Sequence, residues 1–261
     1  MIGFEVKGAI FDVDDTLLDN KPGEHGRGLH ERSRLAAVHR VGKTRGIPEL
    51  EAITARQNVD AFLTAPVHTL EAAVWNVMQM AGLADNAVIN RDHEVFQEVV
   101  ALKNSLHKDI LRQYGEEVPG ATNFVRALAQ NGLRDKLAIA STAVRQDVDI
   151  FLEMVELTEL FPDERIKTVE SVTHPKPNPE VFNLAFASLG LDETEKGSVC
   201  AFEDDPRGIM AAKAAGLYVC AITTRFDRAS LSALEVPPDL IAHNYREFAE
   251  HFGLALEPGL R

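Results

Sequence analysis

The chain has 261 residues, 45% hydrophobic and 26% charged, the balance of an ordinary globular protein with material for one large domain or two small ones. Its formal net charge of −13 argues against nucleic acid or an anionic membrane as partner, so a phosphorylated ligand would need a local positive focus. Cys200 and Cys220 are the only cysteines and make neither a disulfide framework nor a zinc cluster. No apolar run approaches the ~20 residues of a membrane span, and M-I-G-F-E-V-K runs into a strand-like segment rather than a signal peptide, so a reduced, cytoplasmic setting is expected.

In chain order, Gly8 to Val13 is an apolar run that reads as a buried strand. Strand-like runs then give way to amphipathic stretches at Leu29 to Arg45, Leu70 to Met80 and Glu94 to Tyr114, the pattern of a helical insert of about 100 residues. Its expected hinges, Asp19 to Gly28 and Glu116 to Gly120, are rich in Gly, Pro and charge. Within the insert, V-G-K-T at Val41 to Thr44 imitates the end of a phosphate-binding loop, but Ala37 stands where the earlier glycine is required and no strand precedes it.

Beyond the insert, a helix is expected over Thr122 to Gln130, with Phe124, Val125, Leu128 and Ala129 on one face and Gly132 as its stop. A strand over Lys136 to Ala140 follows. Asn178 reads as the cap and Pro179 as the first residue of a helix ending near Leu189. A strand over Ser198 to Phe202, an Ala-rich helix over Pro206 to Ala215 stopped by Gly216, and a strand over Leu217 to Thr223 complete the pattern. Near-continuous hydrophobicity in the strands calls for a parallel sheet covered on both faces. The expected fold is α/β: a Rossmann-like parallel-sheet core of residues 1–18 and 118–261, with a helical cap domain, residues 19–117, inserted after the first strand.

The strongest chemical signal is A-I-F-D-V-D-D-T-L-L-D, an apolar strand that ends in Asp12, Asp14 and Asp15. Ligands of open α/β sheets gather at the carboxyl ends of strands. Carboxylates clustered there repel one another unless a cation or proton shares the site, and a magnesium ion suits oxygen ligands. F-E-D-D-P-R-G-I places Glu203, Asp204 and Asp205 in the corresponding position after a second strand. H-P-K-P-N-P-E-V-F presents Lys176 on a backbone stiffened by three prolines. In I-A-S-T, Ser141 and Thr142 end another strand, where their hydroxyls could donate to phosphate oxygens, and Arg145 stands four residues beyond Ser141.

These four elements, in this order, resemble the haloacid dehalogenase superfamily, and the place of the helical insert resembles its helical-cap subgroup of sugar-phosphate phosphatases and β-phosphoglucomutase. The resemblance implies a magnesium-dependent phosphatase of a small phosphorylated metabolite, with Asp12 as nucleophile, Asp14 as general acid and base, Ser141 as phosphate ligand and Lys176 as charge organiser. It further implies that Asp12, the backbone carbonyl of Asp14, Glu203 and Asp204 hold Mg2+. The position where the family carries a serine is Asp205 here. An ionised aspartate is already nucleophilic at neutral pH, so the obstacle is its repulsion from a phosphate dianion, which a cation and Lys176 would cancel.

In the resembled subgroup the cap contacts the leaving group. Candidates here are His68 and Thr69, with Arg56 and Lys103 as further anion contacts, whereas Trp75 and Met78 read as helix core. A phosphomutase shares the aspartyl-phosphate and differs in what accepts the phosphoryl group. A dehalogenase is disfavoured because Asp14 is suited to protonating an alkoxide. Phosphonate cleavage would need a Schiff-base lysine, for which Lys43, Lys103 and Lys108 are available, and a catalytically silent binding protein is the non-enzymatic alternative.

Overall fold

The computed structural model describes residues 5–20, 28–66, 69–86 and 88–257. The chain divides into two compact units, one formed by Met1–Asp19 with Glu116–Arg261 and the other by Asn20–Gly115.

Among the described residues all strands lie in the first unit: β1 (Gly8–Phe11), β2 (Leu18–Asp19), β3 (Glu116–Glu117), β4 (Leu137–Ala140), β5 (Ile166–Lys167), β6 (Val199–Glu203), β7 (Tyr218–Ile222) and β8 (Leu240–Ala242). Six of them form a parallel sheet in the order β5-β4-β1-β6-β7-β8. The chain starts at the centre with β1, builds β4 and β5 on one side, then returns to build β6, β7 and β8 on the other. The carboxyl end of β1 therefore lies at the switch in direction, where open α/β sheets take ligands. The remaining strands, β2 and β3, pair antiparallel through Leu18–Glu117 and Asp19–Glu116. Asp19, Glu116 and Glu117 accordingly belong to the first unit, although sequence composition reads them as hinge.

The second unit contains α1 (Leu29–Arg45), α2 (Pro48–Glu51), α3 (Ala55–Leu63), α4 (Leu70–Met80) and α5 (Glu94–Tyr114). Its core gathers Val38, Val41, Val74, Trp75, Val77, Met78, Phe96 and Val99. Trp75 and Met78 are thus packing residues. Val41 to Thr44 lies inside α1, so the V-G-K-T resemblance to a phosphate loop has no loop to act through. Among the described residues, no helix is long and apolar enough to cross a membrane.

Helices α6 (Ala121–Leu128), α7 (Arg145–Met154), α8 (Glu180–Ser188), α9 (Pro206–Ala214), α10 (Arg228–Ser232) and α11 (Tyr245–Phe252) belong to the first unit. On one face of the sheet, small residues such as Ala138, Ala140, Ala201 and Ala221 pack with Phe182, Phe186 and Ile209 of α8 and α9. On the other, Phe202 stacks on Phe11 at 4.7 Å and meets the edges of Phe124 and Phe248 at 5.2 and 5.3 Å. Alternating strand residues thus feed two separate cores, which explains why the strands are apolar throughout. Helix α6 stops short of the expected Gln130, and the chain unwinds through Gly132 at φ 96°, a conformation glycine adopts without strain. Helix α8 begins at Glu180, one residue later than expected, because Pro179 is its N-cap residue, while Asn178 Oδ1 still accepts from Glu180 N at 3.0 Å.

Candidate active site

The carboxyl ends of β1, β4 and β6 converge on one ammonium group. Asp12 follows β1 directly, Ala140 ends β4 and Glu203 ends β6. Lys176 Nζ donates to Asp12 Oδ1 at 2.6 Å, to Glu203 Oε1 at 2.6 Å and to the Ala140 carbonyl at 2.9 Å. All three donor positions are used within the protein, and the side chain is only 6% exposed. Lys176 thus supplies one buried positive charge among the carboxylates.

Asp12, Glu203 and Asp204 offer carboxylate oxygens that lie within 4.8 Å of one another. Glu203 is fully committed to protein contacts, because its Oε2 accepts from the backbone N–H of Asp204 and Asp205 at 3.0 and 3.1 Å. It therefore anchors Lys176 and the start of the next loop. Asp204 differs: Thr16 Oγ1 donates to its Oδ1 at 3.4 Å, while its Oδ2 is buried without a hydrogen-bond partner. A buried, unpaired carboxylate oxygen is costly and marks a place where a cation would be favourable.

Charge leads to the same conclusion. Three carboxylates against one ammonium leave a formal balance of −2, which one divalent cation would neutralise. Burial pushes the Asp12 carboxyl well above its usual range; Lys176 pulls it down, while Glu203 and Asp14 push it up again. Asp204 is raised for the same first reason, reinforced by Glu203, Asp12 and Asp15. Burial alone would favour the neutral amine of Lys176, but Asp12 and Glu203 outweigh it and hold the group protonated. The oxygen-only donor set fits a hard divalent ion.

Ser141 is buried directly after β4; its N–H donates to Lys167 O at 2.9 Å, and its Oγ accepts from Ala143 N at 3.1 Å. Thr142 beside it is exposed. Asp14 is half-buried, two residues beyond Asp12, and forms an isolated bridge with Leu18. Its side chain is outside the carboxylate trio.

Arg145 is not brought into this cluster. Its guanidinium pairs with Asp149, one turn along α7, and with Asp163, each at 2.6 Å, so its charge is spent on the outer surface of α7. Asp205, whose role the sequence left open, caps α9 by accepting from Arg207 N at 2.9 Å. Among the residues named for the insert, Thr69 caps α4 through Ala72 N at 3.2 Å, Arg56 pairs with Asp60 at 2.9 Å and Lys103 is buried. His68 lies outside the described residues.

The sequence profile described as haloacid dehalogenase-like hydrolase matches residues 6–216. The chain belongs to this family. Among similar proteins, glycerol-1-phosphate phosphohydrolase 1 of Saccharomyces cerevisiae is 35% identical over 150 residues, covering 54% of this chain and 57% of the yeast protein. The chain thus spans little more than half the length of that relative. Validoxylamine A 7'-phosphate phosphatase of Streptomyces hygroscopicus subsp. limoneus is 29% identical over 230 residues, covering 88% of this chain and 92% of that one. A crystal structure of a family IA, variant 3 hydrolase from Entamoeba histolytica shares the fold with a TM-score of 0.72 at 20% identity, covering 95% and 97% of the two chains.

For a hydrolase of this family, sequence reasoning overlooked a group of supports around the carboxylates. Tyr245 OH donates to Thr16 O at 2.8 Å, Thr224 Oγ1 donates to Asp15 O at 2.5 Å, and Arg225 faces Asp15 and Asp205. The signal available for two of them was T-T-R directly after the apolar run of β7, the same polar-after-strand pattern that singled out Ser141.

Proposed function

We propose that this haloacid dehalogenase-like hydrolase is a magnesium-dependent phosphatase of small phosphomonoesters of the sugar or polyol class, working through an aspartyl-phosphate on Asp12. The observation that carries the reading is the buried ammonium of Lys176 joined to Asp12 and Glu203 beside an unpaired Asp204 oxygen. Asp12 and Asp204 side chains, with the carbonyl of Asp14, would hold the magnesium ion, and Glu203 serves mainly to anchor Lys176. When bound, the ion supplies charge neutralisation for the phosphoryl oxygens.

Asp12 attacks phosphorus as its carboxylate while Lys176 offsets the repulsion between that carboxylate and the phosphate dianion. As the bond to the leaving oxygen breaks, Asp14 donates a proton to the alkoxide. Asp14 then takes a proton from water, the oxygen attacks phosphorus, and inorganic phosphate leaves as the Asp12 carboxylate is regenerated. Ser141 Oγ accepts from Ala143 N, so its own proton is the part it can offer to a phosphate oxygen. The substrate class is supported by the names of two relatives, a glycerol-1-phosphate phosphohydrolase and a validoxylamine A 7'-phosphate phosphatase.

The test is phosphate release from a panel of hexose, pentose and polyol phosphates with magnesium or with EDTA. Release that requires magnesium and disappears in Asp12→Asn is expected. Isomerised hexose phosphate without free phosphate would replace this reading with a phosphomutase, and unchanged turnover in Asp12→Asn would remove the nucleophile.

A further inference from the structure

The turn after β1 that carries Asp14 is held in shape by the loop after β7. Val13 O accepts from the N–H of Thr16, Leu17 and Leu18 at 3.2, 2.8 and 2.8 Å, and Asp15 N donates to Leu18 O at 2.7 Å. To close this turn Asp15 adopts φ 57°, a left-handed conformation that is uncommon outside glycine and that aspartate tolerates better than most residues. Two neighbouring residues hold it there. Thr224 Oγ1 donates to Asp15 O at 2.5 Å, and Arg225 Nε lies 3.6 Å from Asp15 Oδ2. Arg225 Nη1 also lies 3.7 Å from Asp205 Oδ2, so one guanidinium joins the β1 turn to the N-cap of α9, next to Asp204.

We propose that Arg225, assisted by Thr224, is a positioning residue for Asp14. The clasp of Arg225 with Asp15 and Asp205 keeps the left-handed turn and so sets the aim of the Asp14 carboxyl. The proposal rests on the phosphatase reading, in which Asp14 protonates the leaving alkoxide. The Asp14–Asp15 peptide is tied to the far side of the turn by the bond from Asp15 N to Leu18 O at 2.7 Å, and Asp14 itself bridges Leu18. With the turn anchored at both ends, a change at Asp15 has to be taken up by the backbone of Asp14, which shifts its carboxyl relative to Asp12. A general acid acts only within hydrogen-bond reach, and a displacement of about 1 Å can cost on the order of a hundredfold in rate. Arg225 is 35% exposed and its contacts are long, so the pairs themselves contribute little to stability and the variants are expected to fold.

The experiment compares Arg225→Gln, Arg225→Lys and Thr224→Val using two probes: the alkyl phosphate hydrolysed fastest in the panel above, and p-nitrophenyl phosphate. The nitrophenolate leaves without protonation, and kcat/KM reports only the steps up to its departure. Arg225→Gln should therefore lower kcat/KM for the alkyl ester by about tenfold or more while leaving the aryl ester within about threefold. Arg225→Lys should recover part of the loss, Thr224→Val should repeat the selectivity more weakly, and Arg225→Gln should have no further effect on either ester in an Asp14→Asn background. Equal losses on both esters, or no loss on either, would overturn the clasp. If Asp14→Asn alone does not discriminate the two esters, the acid role of Asp14 fails instead, a result visible before any clasp variant is made.

Discussion

Gly208→Ala is the sharpest single test of how the candidate site is built. A Cβ at Gly208 would lie 1.8 Å from Glu203 Oε1, 2.0 Å from its Cδ and 2.4 Å from its Oε2, so the carboxylate and a side chain at 208 exclude one another. The end of a glutamate is flexible on a surface, but this one is 1% exposed and joined to Lys176 at 2.6 Å and to two backbone N–H groups at 3.0 and 3.1 Å. Displacing it breaks a buried ion pair and strands the ammonium beside one carboxylate, a change worth about 3–5 kcal/mol. Against a total stability of roughly 5–15 kcal/mol the protein should still fold. Urea unfolding followed by circular dichroism should show the lower midpoint at unchanged m. Phosphate release should fall on the order of a hundredfold, since Lys176 no longer sits against Asp12. A variant within about 1 kcal/mol of wild type with full turnover would show that Glu203 is not the anchor of Lys176.

Three other outcomes follow from the same geometry. Because burial raises the Asp204 carboxyl, the metal-free folded state binds that proton more tightly than the unfolded chain, and the stabilising contribution is lost as pH rises from the ordinary 3.8 through the raised folded value. In EDTA, Asp204→Asn should therefore gain stability over wild type as pH increases, and saturating magnesium should abolish that gain; a difference that shrinks with pH would refute the account. Glu170 accepts from Arg145 N at 2.9 and 3.0 Å and from Thr168 Oγ1 at 2.6 Å, closing the start of α7, so Glu170→Ala should cost about 1 kcal/mol in urea unfolding. Phe202→Ala removes the ring shared by Phe11, Phe124 and Phe248 and should cost about 3–5 kcal/mol, measured by the same unfolding curves.

Much of this architecture is legible in local sequence, for an identifiable reason. A strand buried on both faces must be apolar throughout, so β1, β4, β6 and β7 stand out, and the acids at their ends stand out against them. Long amphipathic helices such as α1 and α5 carry enough turns for periodicity to register. By contrast β5 and β8, with two and three residues, are too short to show a period, and β2 and β3 exist only because two distant segments meet. Arg145 stands near Ser141 along the chain, but Asp149 lies one helical turn away and takes its guanidinium, a pairing that only the formed helix brings about.

The sequence by itself determined the kind of chemistry: acids and hydroxyls placed where apolar strands end, a lysine between prolines, and an excess of negative charge. The division of labour among those groups was decided by tertiary structure alone. Lys176 reaches Asp12 across 164 positions of chain, Glu203 spends both oxygens on protein partners, Asp204 keeps one oxygen unpaired, and Arg225 closes on two loops. A carboxylate has the same intrinsic affinity wherever it is written in a sequence. Whether it anchors a lysine, caps a helix or is left for a cation depends on which donors the fold brings within about 3 Å of it.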